Sequence, residues 1–289
     1  MSMVDIWGRI RERKSMGRER VFGFSRSEFF SLIFIVSTSN AMLYSIVSAV
    51  ERSFIFAVLN TFGVSAIVWC GLWMGTSFAL KIESGVISRV DKAVGGIVLA
   101  ACFLPLGPTT WALVSFLSLY LIQTSRNPSG AQARAGWVFL ALSVPMFWSK
   151  RLFSFFSEFF LSIDARLVSS ITMTERTGNL VAMPDGHGYL QIAAPCSSMA
   201  NVSLAVLCWV LFTQAFNLPW RPANVLWCAV GCLAVVIINV SRITLIGFFP
   251  EYYDVLHGPV GITVASWIYI LSMMSVCYVR VRIDAALSL

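Results

Sequence analysis

Three side chains that can do chemistry interrupt a sequence that is otherwise typical of membrane helices. Cys196 stands in Ala-Pro-Cys-Ser-Ser, Arg242 in Asn-Val-Ser-Arg-Ile and His257 in Leu-His-Gly. An arginine within an apolar run is costly in a bilayer and indicates a functional site. A thiol, an imidazole and a guanidinium are together the components of a cysteine acyl-transfer site. We therefore predict a membrane-embedded cysteine peptidase or transpeptidase.

Cys196 follows Pro195 and opens the apolar run that continues through Leu207. At a helix amino terminus, free backbone N–H groups and the helix dipole favour a thiolate. The same N–H groups could form part of an oxyanion hole. The alternative is a buried structural thiol, which would need no partner.

Arg242 lies three residues after Asn239, so both side chains share one face of their helix. This spacing predicts a polar patch that faces the interior of the bundle. There the guanidinium could stabilise a thiolate, a tetrahedral oxyanion or a substrate carboxylate. The alternative is an arginine whose long side chain reaches the membrane interface.

His257 precedes Gly258 at the mouth of the last apolar run. Imidazole exchanges protons near neutral pH, which suits general base and acid work on a thiol and a leaving amine. The alternative is His187, the other histidine of the chain, which falls in a predicted turn. Asp254 and Glu251 are near His257 in sequence and could orient its ring.

Composition indicates a membrane protein. Hydrophobic residues make up 57% of the 289 residues and charged ones 12%, and the mean hydropathy is +0.78. A soluble domain would carry about twice that share of charge. The net charge of +7 does not indicate nucleic acid as a partner, because basic and aromatic residues are not interleaved as in single-strand binders.

The basic amino-terminal segment, 1–28, has no apolar core and is therefore not predicted to be a cleavable signal peptide. We predict that it is cytoplasmic and contacts anionic membrane lipids. Its basic residues are Arg9, Arg11, Arg13, Lys14, Arg18, Arg20 and Arg26.

The seven cysteines predict neither a disulfide framework nor a metal site, because there is no Cys-x-x-Cys pair and no Cys/His cluster at zinc spacing. Cys228 and Cys232 share a helix face, where packing is the better interpretation than a metal pair. The cysteines other than Cys196 fall in apolar runs, where a free thiol behaves as a small hydrophobe. They are Cys70, Cys102, Cys208, Cys228, Cys232 and Cys277.

The apolar runs predict an all-α polytopic membrane protein with about eight transmembrane helices in one domain, 29–289. The predicted spans are 29–50, 54–80, 93–106, 108–124, 135–149, 196–216, 223–249 and 259–279. Between them, 152–171 alternates phenylalanines with polar residues at helical spacing, which predicts an amphipathic helix in the membrane interface. Two short runs around Pro-Asp-Gly in 178–193 predict a β-hairpin just before Cys196.

The positive-inside rule barely decides the orientation, because a single span over 93–124 would reverse everything after it. Length decides better: one helix over this segment would be about 48 Å long, against a hydrocarbon core of about 30 Å. Pro105 and Pro108 also interrupt its middle. We predict two short spans, with Cys196 and His257 on the extracytoplasmic side and Arg242 towards the same face.

At these residues the sequence resembles the exosortase/archaeosortase family of membrane cysteine transpeptidases, over about 176–275. The match consists of the Gly-rich extended segment, Ala-Pro-Cys-Ser at Cys196, the Asn-x-x-Arg pair of Asn239 and Arg242, and His257 with its following glycine. A departure from the family pattern is Cys-Ser-Ser where Cys-Ser-Gly is usual, which indicates a divergent subfamily. Ser197 and Asn239 would support the site.

The resemblance implies an activity and a location. The substrate would be an exported protein whose carboxy-terminal sorting signal has a short motif, a transmembrane helix and a basic tail. Cys196 would hold the thioacyl intermediate, Arg242 and His257 would complete the triad, and no metal or organic cofactor would be needed. Bacterial relatives handle PEP-CTERM proteins and accompany exopolysaccharide production, so the implied location is the inner membrane of a prokaryote.

Two other functions stay open. One is simple hydrolysis by an intramembrane-type cysteine protease, since the three residues do not encode the acceptor nucleophile. The other is a non-catalytic membrane partner in polysaccharide assembly. A conduit would spread polar residues along a path across the helices, whereas here the ionisable groups cluster at one face, which disfavours it. The residues specify no oligomeric state.

Overall fold

A computed structural model of the chain describes residues 25–59, 61–81, 85–104, 107–219 and 221–287. The chain divides into two compact units, Met1–Ser143 and Val144–Leu289. Most of the predicted basic segment, and with it the predicted lipid contacts of its first six basic residues, lies outside the described residues. The prediction of one transmembrane domain over 29–289 concerns how the two units join, and it stays a prediction.

Unit 1 is helical, and polar caps fix where two of its helices begin. Ser25 and Glu28 form a capping box at the first helix, and Ser88 and Asp91 form another at the fourth. Phe34 and Phe139 stack in the core with ring centroids 4.1 Å apart. The helices are α1 (Arg26–Arg52), α2 (Phe54–Leu59), α3 (Ala66–Ala79), α4 (Arg89–Cys102), α5 (Thr110–Thr124) and α6 (Ala131–Ser143).

Unit 2 combines helices with a small antiparallel sheet. After a π-helical turn at Val144–Trp148, two 3-10 turns, Ala194–Cys196 and Pro250–Tyr252, connect its longer elements. Those elements are α7 (Ser149–Thr172), β1 (Arg176–Thr177), β2 (Leu180–Ala182), β3 (Tyr189–Gln191), α8 (Ser198–Ala215), α9 (Pro222–Phe248), α10 (Tyr253–His257) and α11 (Pro259–Leu287).

Within the described residues, four helices are long and apolar enough to cross a membrane. They are Arg26–Arg52, Ala194–Ala215, Pro222–Phe248 and Val260–Ile283, and they match four of the eight predicted spans. The other predicted spans correspond to shorter helices: α4 has 14 residues, or about 21 Å, and the 54–80 run is broken around Thr61–Gly63. The membrane class therefore has structural support, and the count of eight spans stays a prediction.

The amphipathic segment predicted at 152–171 forms the larger part of α7, which bends at Phe156. Phe155 and Phe159 are exposed on one face, while Ala165 and Val168 are fully buried on the other. The helix itself is thus confirmed, and its place in the membrane interface stays a prediction.

The predicted β-hairpin is present as β2 and β3, which pair antiparallel with Val181 opposite Leu190. Gly186 and Gly188 both have positive φ angles in the connecting turn, a conformation that glycine adopts without steric cost. A third strand, β1, which the sequence did not predict, pairs with β2 on its other side. The sheet packs its apolar side chains against α7 and α9, next to Cys196.

Close packing of α1 against α4 depends on Gly95. A β-carbon at this position would lie 2.5 Å from Cζ of Phe29 and 2.6 Å from Cδ1 of the buried Ile33. The neighbouring Gly96 has nothing within 4 Å of the same position. The two glycines therefore differ in packing while they share one helix.

We expect Gly95→Ala to destabilise the protein by roughly 1–3 kcal/mol, because the added methyl overpacks this contact. Gly96→Ala is the matched control and is expected to be neutral or stabilising by up to about 1 kcal/mol through helix propensity. Thermal unfolding of the purified protein in detergent measures both. Equal melting temperatures for the two variants would contradict the packing role of Gly95.

Candidate cysteine–histidine site

Cys196 ends the 3-10 turn between β3 and α8 and is partly buried. The helix begins two residues later, at Ser198, with Ser197 as its N-cap. The prediction that Cys196 itself opens the helix is therefore wrong by two residues. Because the turn holds the thiol outside the helix, Cys196 can face groups from other elements.

His257 is the group that Cys196 faces. The Cys196 Sγ and His257 Nε2 atoms are 3.5 Å apart, which is hydrogen-bond distance for sulfur. His257 is the last residue of the short α10, and the ring of Tyr253 stacks on its imidazole with centroids 5.0 Å apart and planes 10° apart. The next residue, Gly258, has no room for a side chain, because a β-carbon there would lie 2.1 Å from the carbonyl oxygen of Asp254. The structure thus brings together two of the three predicted site residues.

Asn239 holds the Cys196 turn against α9. Its side-chain amide donates hydrogen bonds to the Cys196 carbonyl oxygen (2.8 Å) and to Ser198 Oγ (3.0 Å). The Tyr269 hydroxyl of α11 donates to its Oδ1 atom at 3.1 Å. Asn239 is 1% exposed, so protein groups, and not solvent, satisfy the hydrogen bonds of its amide. A buried amide with this many partners fixes one geometry of the turn.

Asp164 fixes the start of α8 from a different direction. It belongs to α7, is 3% exposed, and its Oδ2 atom accepts the Ser198 backbone N–H at 2.9 Å. A carboxylate at a helix amino terminus compensates an N–H that has no partner within the helix. The region around Cys196 is therefore held from α7 as well as from α9.

The predicted oxyanion hole is not available from the backbone around Cys196. The N–H groups of Cys196 and Ser197 donate to Ala193 and Ala194 carbonyls. Those of Ser198 and Met199 donate to the side chains of Asp164 and Ser197. All four of these donors are therefore engaged within the protein.

Arg242 lies six residues before the end of α9, about 9 Å from it. Its Nε atom is buried without a hydrogen-bond partner, and within the described residues no hydrogen bond or ion pair joins it to Cys196 or His257. It lines a cavity of about 370 Å³ between α9, α10 and α11, with apolar neighbours such as Leu245, Leu256 and Val264. Arg242 therefore lines the same cavity as Leu256, the residue before His257, and its Nε–H has no partner.

The alternative residues do not join the site. His187 is exposed in the hairpin turn, where its backbone N–H donates to Asp185. Asp254 and Glu251 are exposed, and in the described part of the chain neither carboxylate bonds the imidazole. The ring of His257 is oriented by the stacked Tyr253 instead.

Three residues of the site were not predicted: Asp164, Tyr253 and Tyr269. Asp164 falls in the amphipathic segment predicted at 152–171, and its carboxylate is buried. Asp164, Ala165, Val168 and Thr172 share one buried face of α7, a spacing that could have shown it. Tyr253 precedes His257 by four residues, the spacing at which helical side chains meet.

Four cysteines of unit 2 pack into a second core, where Cys277 is fully buried beside Met273. The other three are Cys208, Cys228 and Cys232. Among the residues that the structure describes, no group of three histidine, cysteine or acidic side chains is arranged to hold a metal ion. The packing interpretation of Cys228 and Cys232 agrees with this core.

Comparison of the chain with protein-family models, curated proteins and solved structures gave no match. The class that the fold supports is a helical protein with membrane-spanning segments.

Asn239→Ala should destabilise the protein by roughly 1–3 kcal/mol, because it leaves buried partners of the amide without a hydrogen bond. Ser241→Ala on the same helix is the control, since Ser241 is exposed and should tolerate the change within about 0.5 kcal/mol. Thermal unfolding in detergent reports stability, and the alkylation rate of Cys196 reports the position of the turn. If Asn239→Ala matched Ser241→Ala in both measurements, Asn239 would not hold the turn.

Proposed function

We propose that this protein is a membrane-embedded cysteine peptidase or transpeptidase, similar to exosortases, that cleaves a carboxy-terminal sorting signal of exported proteins. The observation that carries the proposal is the 3.5 Å distance between Cys196 Sγ and His257 Nε2. A thiol in contact with an imidazole is the nucleophile–base pair of cysteine acyl transfer. The fixed turn and the stacked ring add to this support, because a catalytic pair requires held geometry.

In the first half of the proposed reaction, His257 Nε2 takes the proton of the Cys196 thiol. The thiolate attacks the scissile carbonyl carbon and forms a tetrahedral intermediate. The intermediate collapses as the peptide C–N bond breaks, and the imidazolium gives its proton to the departing amine. The products are a thioacyl group on Cys196 and the released signal peptide.

In the proposed reaction, Arg242 stabilises the negatively charged oxygen of this intermediate. The backbone donors beside Cys196 are engaged, whereas the Nε atom of Arg242 is buried without a partner. A buried N–H without a partner is costly, and an oxyanion or carboxylate of the substrate would supply the missing partner. Its contact with the reacting groups would then form when the substrate binds, as catalytic contacts often do.

In the second half, an amine or a water molecule attacks the thioester. His257 takes the proton of this nucleophile, and the Cys196 thiol leaves with a proton returned from the imidazolium. An amine acceptor makes the protein a transpeptidase, and water makes it a protease.

The proposed setting is the inner membrane of a prokaryote. The protein would span the membrane eight times, with the site on the extracytoplasmic side, and would be linked to surface protein or exopolysaccharide export.

Cys196→Ala should abolish processing, because no other group of the site can form the thioacyl intermediate. The experiment coexpresses wild type or variant with exported proteins of the same genome that carry a carboxy-terminal helix and basic tail. Intact mass of each exported protein is the readout, and any added mass identifies the acceptor. Cys70→Ala is the matched control, since Cys70 is an exposed free thiol and should leave processing unchanged.

A different outcome would contradict the proposal. If every such protein keeps its full length with wild type, while a Cys196→Ala strain retains its surface phenotype, the peptidase proposal fails. The non-catalytic membrane partner would then be the better function.

Arg242→Ala and His257→Ala should each lower the rate of processing by about 10²–10⁴-fold, as losses of an oxyanion donor or a general base do. Arg242→Lys should recover part of the rate because it keeps the charge. His257→Ala should also slow alkylation of Cys196 by iodoacetamide, whereas Arg242→Ala should change it far less, since Arg242 does not bond the thiol. Wild-type rates in the arginine variants would exclude the assigned role.

A further inference from the structure

A second cavity lies in unit 1, at the end where α1, α4 and α6 begin and α5 ends. Its volume is about 240 Å³, and polar side chains of all four helices line it. Arg26 and Asp91 form its floor: they are 9% and 2% exposed, and the arginine pairs with the carboxylate at 3.0 Å. The site proposed for cysteine chemistry does not involve this cavity.

The hydrogen bonds of Arg26 leave one donor over. Its Nε and Nη2 groups donate to Asp91, Nη2 also donates to Thr124, and Nη1 donates to Gln132. A guanidinium has five N–H groups, so one N–H on Nη1 has no partner among the described residues. The Arg26 side chain is buried and lines the cavity.

The charge of the cavity is positive. Burial raises the pKa of Asp91, but hydrogen bonds from Arg26, Ser88 and Tyr120 outweigh it and hold the pKa below its ordinary value. The carboxylate is thus charged at neutral pH and cancels Arg26. Arg126 then contributes one net positive charge, exposed at the cavity and without a hydrogen bond to another described residue.

The surroundings of the cavity favour an anionic membrane surface. Lys81, Arg89, Lys92 and Arg134 lie near the same helix ends, and Lys81 and Arg134 both pack over the Phe78 ring. Helix ends with an excess of basic residues face the cytoplasm in membrane proteins. Anionic lipid headgroups are concentrated at that surface.

We propose that this cavity binds the phosphate group of an anionic lipid headgroup. Arg126 and the spare N–H of Arg26 would donate to the phosphate oxygens, and charge-assisted bonds of this type are the strong ones in proteins. Asp91 does not repel the phosphate because Arg26 neutralises it. A phosphate fits the volume, and free inorganic phosphate has the same oxygens, so the test separates the two sources.

The experiment titrates the purified full-length protein, in zwitterionic detergent, with short-chain phosphatidylglycerol, short-chain phosphatidylcholine or inorganic phosphate. We expect phosphatidylglycerol to bind wild type with a Kd about tenfold or more below that of Arg126→Ala. Arg126→Lys should fall between them. Lys92→Ala is the control, because it removes the same charge from an exposed residue of α4 that does not line the cavity.

Each result has one meaning. Inorganic phosphate that binds as tightly as phosphatidylglycerol, with the same loss in Arg126→Ala, supports the site with free phosphate as its ligand. Equal losses in Lys92→Ala and Arg126→Ala would overturn the proposal in favour of diffuse surface charge. Equal binding of phosphatidylcholine would overturn it as well, since apolar contact would then explain the affinity. All variants keep the basic amino-terminal segment, so its contribution cancels.

Discussion

The side-chain amide of Asn239 is the contact on which the geometry of unit 2 depends. Inside an apolar bundle no water is available to satisfy a buried polar group, so each one must find its partner in the protein. Asn239 does so by joining the Cys196 turn to its own helix and by accepting the hydroxyl of Tyr269. One amide thereby ties α9, α11 and the turn before α8 into a single arrangement, and the thiol meets His257 as a result.

Arg242 is the counterpart of Asn239 one helical turn later. The same constraint applies to it, yet its Nε atom is buried and has no partner, whereas Arg26 of unit 1 has a carboxylate, a hydroxyl and an amide. The two arginines therefore differ in how far the protein satisfies them. Arg26 is bonded at all three nitrogens and keeps one N–H of Nη1, whereas the Nε atom of Arg242 has no partner.

The sequence predicted the features that follow from local pattern. The hairpin was predicted from Pro-Asp-Gly between two short runs. The pairing of Cys196 with His257 was predicted from their positions at the starts of apolar runs. Features that depend on tertiary contact were missed: hydropathy does not show where a run such as 54–80 breaks. The role of Asp164 was missed as well, because the alternation of aromatic and polar residues does not show which side of the helix packs on the protein.

Asp164 links the start of α8 to the packing of α7. One face of that helix presents exposed phenylalanines, and the opposite face supplies the carboxylate that holds the Ser198 N–H. The helix also bends at Phe156, in the part that precedes Asp164. A change in how the buried face of α7 packs would therefore reach the start of α8, directly after the turn that holds Cys196, through this one carboxylate.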